Sequence, residues 1–337
     1  MIPCRMEGLI AAAVTPLRSD GRLNLDQVAP IVDRLIEDGV AGFYVCGSTG
    51  EGMSLSDDER CAVAEAYIKA ARGRAKIMIQ VGHNSLASAV RLASHAQDCG
   101  ADALSATCPS YFPLQGLDAL IASMAQVAAG APSLPFYYYH IPMLTGARFD
   151  MVDFLAQADE HIPSLAGLKY TMPTLHEYQL CQEFSGGKFD ILWGVDEMLL
   201  AAVATGANGA VGSTYNIAAG AYLEIIRAVS EGRLTDARLW QSRVANLVRI
   251  LASFPFHAAL RETMRLLGME CGPCRLPLRM LTPTETENLR RSLDEIGFSS
   301  WNEGFGSAAH RRTDAASASQ LAPPSATPHL SARKERV

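Results

Sequence analysis

Ser164-Leu-Ala-Gly-Leu-Lys-Tyr-Thr171 is a short, mostly apolar run that ends on a lysine, and it reads as a buried strand. The chain has only five lysines, and Lys69, Lys76, Lys188 and Lys334 stand in polar or loop-like settings. Burial disfavours the ammonium form and lowers its pKa, so Lys169 at the end of such a strand is a nucleophile near pH 7. That is the chemistry of a Schiff-base enzyme. The competing reading is a strand-end lysine whose amine reaches out to water along its apolar stem.

On either side of this run, short apolar segments alternate with amphipathic ones. Strands are expected at Gly8-Leu-Ile-Ala-Ala-Ala-Val14, Gly42-Phe-Tyr-Val-Cys46, Lys76-Ile-Met-Ile-Gln-Val81, Ala103-Leu-Ser-Ala-Thr107 and Leu134-Pro-Phe-Tyr-Tyr-Tyr139. The Lys169 run comes next, followed by Asp190-Ile-Leu-Trp193 and Gly209-Ala-Val-Gly-Ser213. Helical patterns fill 25–37, 56–72, 84–98, 117–129, 150–159 and 174–184; a short one starts near Asp196 and another near Ala218. Eight βα units in succession imply an α/β protein with a closed (β/α)8 TIM barrel. A doubly wound sheet, the other arrangement of parallel strands, carries a glycine-rich first turn, whereas here that turn is Val14-Thr-Pro-Leu. The barrel is expected over residues 7–230. Three more helical patterns, at 233–253, 257–268 and 283–296, make residues 231–300 a C-terminal helical extension of the same domain. From 301 to 337 the composition turns to Ser, Ala, Pro, Arg and His, which predicts a disordered tail.

With 49% hydrophobic and 19% charged residues, the 337-residue chain has the makings of a large core. Its net charge of −6 and scattered arginines give no nucleic-acid surface. The apolar run Leu9–Val14 is too short to span a membrane and is wrongly flanked for a signal peptide, so no membrane partner and a cytoplasmic location are expected. Eight cysteines lie mostly in apolar runs, as buried thiols of a reducing compartment do. The pair Cys271-Gly-Pro-Cys274 lacks the second pair or the histidines of a zinc site, and does not follow an early strand as a redox motif would.

In a barrel the chemistry gathers at the C-terminal ends of the strands. Gly47-Ser-Thr-Gly-Glu51 follows the second strand, where Ser48, Thr49 and exposed backbone N–H groups can hold a small anion such as a carboxylate; an ordinary βα turn has the same composition. In Phe136-Tyr-Tyr-Tyr139, alternation puts Tyr137 and Tyr139 on one side and Tyr138 on the other. Tyr139 beside Lys169 could relay protons, while Tyr137, Tyr138 and His140 read as structural. Asp196 and Glu197 open a short helix at the barrel mouth, where carboxylates suit either the helix dipole or a polyhydroxylated substrate. No metal-binding pattern stands at a strand end, so a metal-dependent aldolase is disfavoured and no metal or other cofactor is expected.

Four separated motifs, Gly47-Ser-Thr-Gly-Glu51, Tyr139-His-Ile-Pro142, Gly167-Leu-Lys169 and Gly209-Ala-Val-Gly-Ser213, occur in the order found in the N-acetylneuraminate lyase and dihydrodipicolinate synthase family of class I aldolases, which the chain resembles over residues 7–298. Within that family, Trp193-Gly-Val-Asp-Glu197 and Gly212-Ser-Thr-Tyr-Asn216 are similar to the lyase pattern. The resemblance implies Schiff-base cleavage of N-acetylneuraminate to N-acetylmannosamine and pyruvate by Lys169 and Tyr139. It implies sugar-hydroxyl contacts for Gly194, Asp196, Glu197 and Ser213, and a substrate-binding role for Thr171. It further implies a homotetramer, with Tyr111 as the tyrosine that many members lend across a subunit interface. The synthases usually carry an arginine where this chain has Leu144, which counts against that activity. An aldolase for another 2-keto-3-deoxy sugar acid is disfavoured by the Gly-Val-Asp-Glu segment, and a non-catalytic barrel that binds a keto acid would leave Lys169 without an adduct on borohydride reduction with pyruvate.

Overall fold

The computed structural model describes residues 5–301. Within them eight parallel strands close into a barrel in sequence order: β1 (Gly8–Ala12), β2 (Gly42–Val45), β3 (Lys76–Gln80), β4 (Ala103–Ala106), β5 (Phe136–His140), β6 (Leu165–Tyr170), β7 (Asp190–Trp193) and β8 (Gly209–Gly212). Every expected strand is found. β8 returns to pair with β1, matching Gly8 to Gly209, so no sheet edge is left open.

The intervening helices are α1 (Val28–Glu37), α2 (Asp57–Ala71), α3 (Leu86–Asp98), α4 (Leu117–Ala129), the single turn α5 (Pro142–Thr145), α6 (Met151–His161), α7 (Leu175–Gly187) and α8 (Leu199–Ala204). α9 (Tyr215–Ser230) starts three residues before the expected Ala218, and its backbone leaves helical geometry at that residue. Ser56 caps α2 reciprocally with Glu59, which satisfies N–H groups that a helix start otherwise leaves open. The C-terminal extension is α10 (Leu234–Ala252), α11 (Phe256–Leu266) and α12 (Pro283–Glu295). Trp301, placed by composition at the start of the tail, instead closes a 3-10 turn over Phe298–Trp301 and is only 5% exposed, packed edge-on to Trp240. The expected tail from residue 302 onward lies outside the described residues.

Two apolar layers follow from strand alternation. Ile10, Ala12, Tyr44, Met78, Tyr137, Tyr139, Leu192 and Val211 fill the barrel interior, while Leu9, Phe43, Ile77, Leu104 and Tyr138 face the helices. β6 breaks the alternation. Ala166 faces inward with Tyr137, and Lys169 also faces inward, between the rings of Tyr44 and Tyr139, although an odd number of positions separates the two. A register irregularity opposite Phe136 and Tyr137, where Leu165 pairs with Phe136 but Gly167 with Tyr137, permits this. One extra residue in a strand re-aims every side chain beyond it. Without it Leu168 would point into the barrel and Lys169 into the helix layer.

Candidate active site

Lys169 pairs with Tyr139 of β5 on one side and Leu192 of β7 on the other. Its amine is 3.9 Å from the centroid of the Tyr44 ring and 3.9 Å from that of Tyr139. These rings meet edge to face at 77°. Lys169 is 4% exposed, and burial brings its pKa down to about 7, with the Asp196 carboxylate pulling the other way. The amine does not reach water, which rules out a snorkelling side chain; at neutral pH a large fraction of it is unprotonated.

Tyr139 is equally enclosed. Burial pushes its phenol up to about 12, an effect partly offset by the nearby hydroxyls of Ser48 and Thr171. It is therefore a neutral phenol at physiological pH. Tyr44, which sequence reasoning leaves as an ordinary strand residue, lies below the amine, its hydroxyl donating to Ser105 Oγ at 3.0 Å. The signal for it is present: alternation along Gly42–Val45 sends one of its two aromatics inward. His140 lies between Tyr138 and Tyr170 in the outer layer, and burial lowers its pKa to about 4, in keeping with its structural reading.

The turn after β2 meets β8 across the mouth, where Thr49 Oγ1 and Ser213 Oγ are 2.6 Å apart and share a hydrogen bond. Thr171 follows Lys169, and its buried hydroxyl has no hydrogen-bond partner of good geometry. Gly194 lies against it: a Cβ there would sit 2.2 Å from Thr171 Oγ1, so only glycine fits. Asp196 is 8% exposed and accepts from the Thr214 backbone N–H at 2.8 Å and from Thr214 Oγ1 at 2.6 Å. Thr214 Oγ1 is in turn 2.6 Å from the Tyr222 hydroxyl. Burial raises Asp196 to about 6, against the stabilising pull of Thr214. A Cβ at Gly212 would meet its Oδ1 at 2.3 Å, so β8 must carry glycine there for the carboxylate to fit. Glu197 is exposed at the rim, and its carbonyl accepts from Gln241 of α10 at 2.8 Å.

Two expected positions behave differently. Tyr111 is 78% exposed and stacks edge-on against Phe112 at 5.0 Å, so within one chain it takes no part in the Lys169 pocket. Glu51, the last residue of the expected anion-binding turn, faces away from the mouth. Its carboxylate is paired with Arg261 of α11 at 2.6 Å, the two side chains 1% and 3% exposed. Arg261 also donates to the carbonyls of Thr15 and Cys271. The backbone N–H of Arg275 reaches the second Glu51 oxygen at 2.8 Å. His257, one helical turn before Arg261, donates from Nε2 to the Ser48 carbonyl at 3.0 Å. No spacing or composition in the sequence distinguishes His257 from any histidine at a helix start.

Cys271 and Cys274 frame a turn under this clamp, and burial holds both thiols up at about 11, so neither is the low-pKa thiolate of a reactive redox pair. Among the described residues no three His, Cys, Asp or Glu side chains form a metal-binding group, and no helix is long and apolar enough to cross a membrane.

The sequence profile of the dihydrodipicolinate synthetase family matches residues 5–296. The chain belongs to this family. Among curated members, the N-acetylneuraminate lyase of Xenopus tropicalis is 44% identical over 280 residues, covering 81% of this chain and 91% of the relative. That of Rattus norvegicus is 37% identical over 302 residues, covering 88% and 94%. Among solved structures, the Proteus mirabilis N-acetylneuraminate lyase superposes with a TM-score of 0.85 at 39% identity, covering 88% of this chain and all of that one. The N-acetylneuraminate lyase (sialic acid aldolase) of Aliivibrio salmonicida gives the same TM-score and identity over 98% of its length. The family placement, the barrel and the C-terminal helices thus agree with the sequence reading.

Proposed function

We propose that this chain is a class I aldolase that cleaves N-acetylneuraminate reversibly to N-acetylmannosamine and pyruvate. The observation that carries the reading is the enclosed Lys169 amine, held near pKa 7 against Tyr139, in a chain 44% identical to a lyase of that specificity. Neutral Lys169 attacks the C2 ketone of the open-chain sugar and expels water to give a protonated imine. Ser48 and Thr49 hold the substrate carboxylate with the backbone N–H groups of their turn. Asp196, Ser213, Gly194 and Glu197 line the side on which the sugar hydroxyls lie, and Thr171 stands between the two regions.

The imine then draws electrons as C3–C4 breaks. Tyr139 enters as a neutral phenol, so it relays rather than starts as a base. It receives the C4 hydroxyl proton while its own passes by way of the Ser48 hydroxyl to the substrate carboxylate. N-acetylmannosamine leaves as the aldehyde, the same proton returns to C3 of the enamine, and water releases pyruvate from Lys169. The iminium provides the electron sink, so the reaction requires no cofactor.

A homotetramer completes the proposal, with the exposed Tyr111 and Phe112 as contact residues between chains. The described cysteines are all free thiols, which suits a cytoplasmic enzyme. The test is pyruvate release from N-acetylneuraminate by the parent and by Lys169→Ala, together with borohydride trapping in the presence of pyruvate. The expected result is release by the parent alone and a stable adduct on Lys169. Release by the variant overturns the Schiff-base assignment, and absence of release by the parent overturns the substrate.

A further inference from the structure

We propose that His257 is a positioning residue for the carboxylate-holding turn, so that the C-terminal extension sets the enzyme's affinity for the keto acid; this rests on the aldolase reading above. The turn after β2 is tied locally by the Gly52 N–H to the Gly47 carbonyl at 3.1 Å and by Thr15 Oγ1 to the Gly50 carbonyl at 2.6 Å. The Glu51 backbone N–H bonds to the Ser48 carbonyl at 3.0 Å, and His257 Nε2 approaches the same oxygen at 3.0 Å from a position 209 residues further along the chain. A carbonyl can only accept, so His257 must carry a hydrogen on Nε2 in this contact.

The rest of the clamp explains why the contact has a fixed geometry. Arg261 lies one turn along α11 from His257, and its buried pair with Glu51 locks the far end of the same turn. α11 therefore grips the turn at two points, Ser48 and Glu51, between which lie Thr49 and Gly50. Thr49 is the residue that reaches across to Ser213. The Arg261 grip is deeply buried and holds the fold together; the His257 grip is partly buried and acts on the residue whose hydroxyl and neighbouring N–H groups face the ligand. Loss of the second leaves the Ser48 carbonyl on the Glu51 N–H alone and loosens the Ser48 peptide, while Glu51 stays anchored.

The consequence is selective. His257 touches no part of the sugar side, so its loss weakens the keto-acid end and leaves the aldehyde end unchanged. The test measures synthesis from pyruvate and N-acetylmannosamine by the full chain and by His257→Phe, His257→Asn and His257→Gln. Phe keeps the ring without the donor, Asn is too short to reach, and the Gln amide nitrogen falls close to where Nε2 lies. Loss of one such hydrogen bond predicts a rise of roughly five- to tenfold in KM for pyruvate in the Phe and Asn variants. KM for N-acetylmannosamine and kcat stay near parental values, and Gln recovers most of the loss. A merely structural role would lower thermal stability and shift both KM values together. Equal shifts in the two KM values, or an unchanged KM for pyruvate, overturn the inference alone. A parent that forms no trapped pyruvate adduct overturns the aldolase reading and this inference with it.

Discussion

Replacing Lys169 by methionine should abolish activity and stabilise the fold, by an amount that falls as the pH rises. In the folded protein burial brings the Lys169 pKa down from 10.5 to about 7. The unfolded chain therefore binds more protons than the folded one between these values, and the stability of the parent increases with pH across that window. Below pH 7 the full difference applies, about 5 kcal/mol, and at pH 8 about 3 kcal/mol. The faces of Tyr44 and Tyr139 return on the order of 1 kcal/mol to the ammonium form, which leaves roughly 4 kcal/mol at low pH but hardly changes the roughly 3 kcal/mol at pH 8, where the folded amine is mostly neutral. Methionine has nearly the same volume and no charge to desolvate, so the variant escapes this cost. Its one loss is the favourable pull on Asp196, the smallest of the influences on that carboxylate. For a chain of this size the variant should melt about 8 °C higher than the parent at pH 6 and about 6 °C higher at pH 8. Thermal denaturation of both proteins from pH 6 to 9 measures this. A variant no more stable than the parent, or an advantage independent of pH, would refute the claim that the lysine is held neutral by desolvation.

Three other changes probe separate parts of the site. Tyr139→Phe removes the proposed relay but leaves the amine, so kcat should fall by about 10²–10⁴-fold while borohydride still traps the pyruvate adduct; a kcat within tenfold of the parent argues against the relay. Asp196 raises the Lys169 pKa, so Asp196→Asn should move the midpoint for imine formation to lower pH, read from cyanoborohydride trapping rates between pH 5 and 9. A midpoint that stays put or moves to higher pH contradicts the electrostatic link. Arg261→Met leaves Glu51 buried without its cation and should cost about 3–5 kcal/mol in chemical unfolding, far more than a surface pair would. A loss below about 1 kcal/mol would mean that the clamp is dispensable.

The barrel is legible because each βα unit carries its own local signal: a short apolar strand, an amphipathic helix and a turn between them. Lys169 is legible because a lysine at the end of an apolar run contradicts its surroundings, and such contradictions mark functional positions. Its inward direction is not, since it depends on the irregularity opposite Phe136 and Tyr137, and a strand sequence carries no mark of an extra residue. Glu51 shows the converse: it sits within a motif that reads as one unit, yet the turn divides it, Ser48 and Thr49 facing the mouth and Glu51 the helices. His257, Arg261 and Thr214 escape sequence reasoning because their partners cannot be read from local pattern, as the 209 residues between Ser48 and His257 illustrate. Composition changes at Trp301 and so assigns it to the tail, whereas its ring belongs with Trp240 and Phe298.

The Glu51–Arg261 pair also has a consequence for how the molecule is made. During synthesis Glu51 emerges 210 residues ahead of Arg261, which at ribosomal speed is a delay on the order of 10–40 s. All eight strands have been translated by Gly212, before α11 exists. Throughout that interval a nascent barrel would have to bury the Glu51 carboxylate without its guanidinium, at a cost of several kcal/mol, or leave the turn after β2 open to water. The open turn is the cheaper state. The turn after β2 thus acquires its buried ion pair only after α11 has left the ribosome.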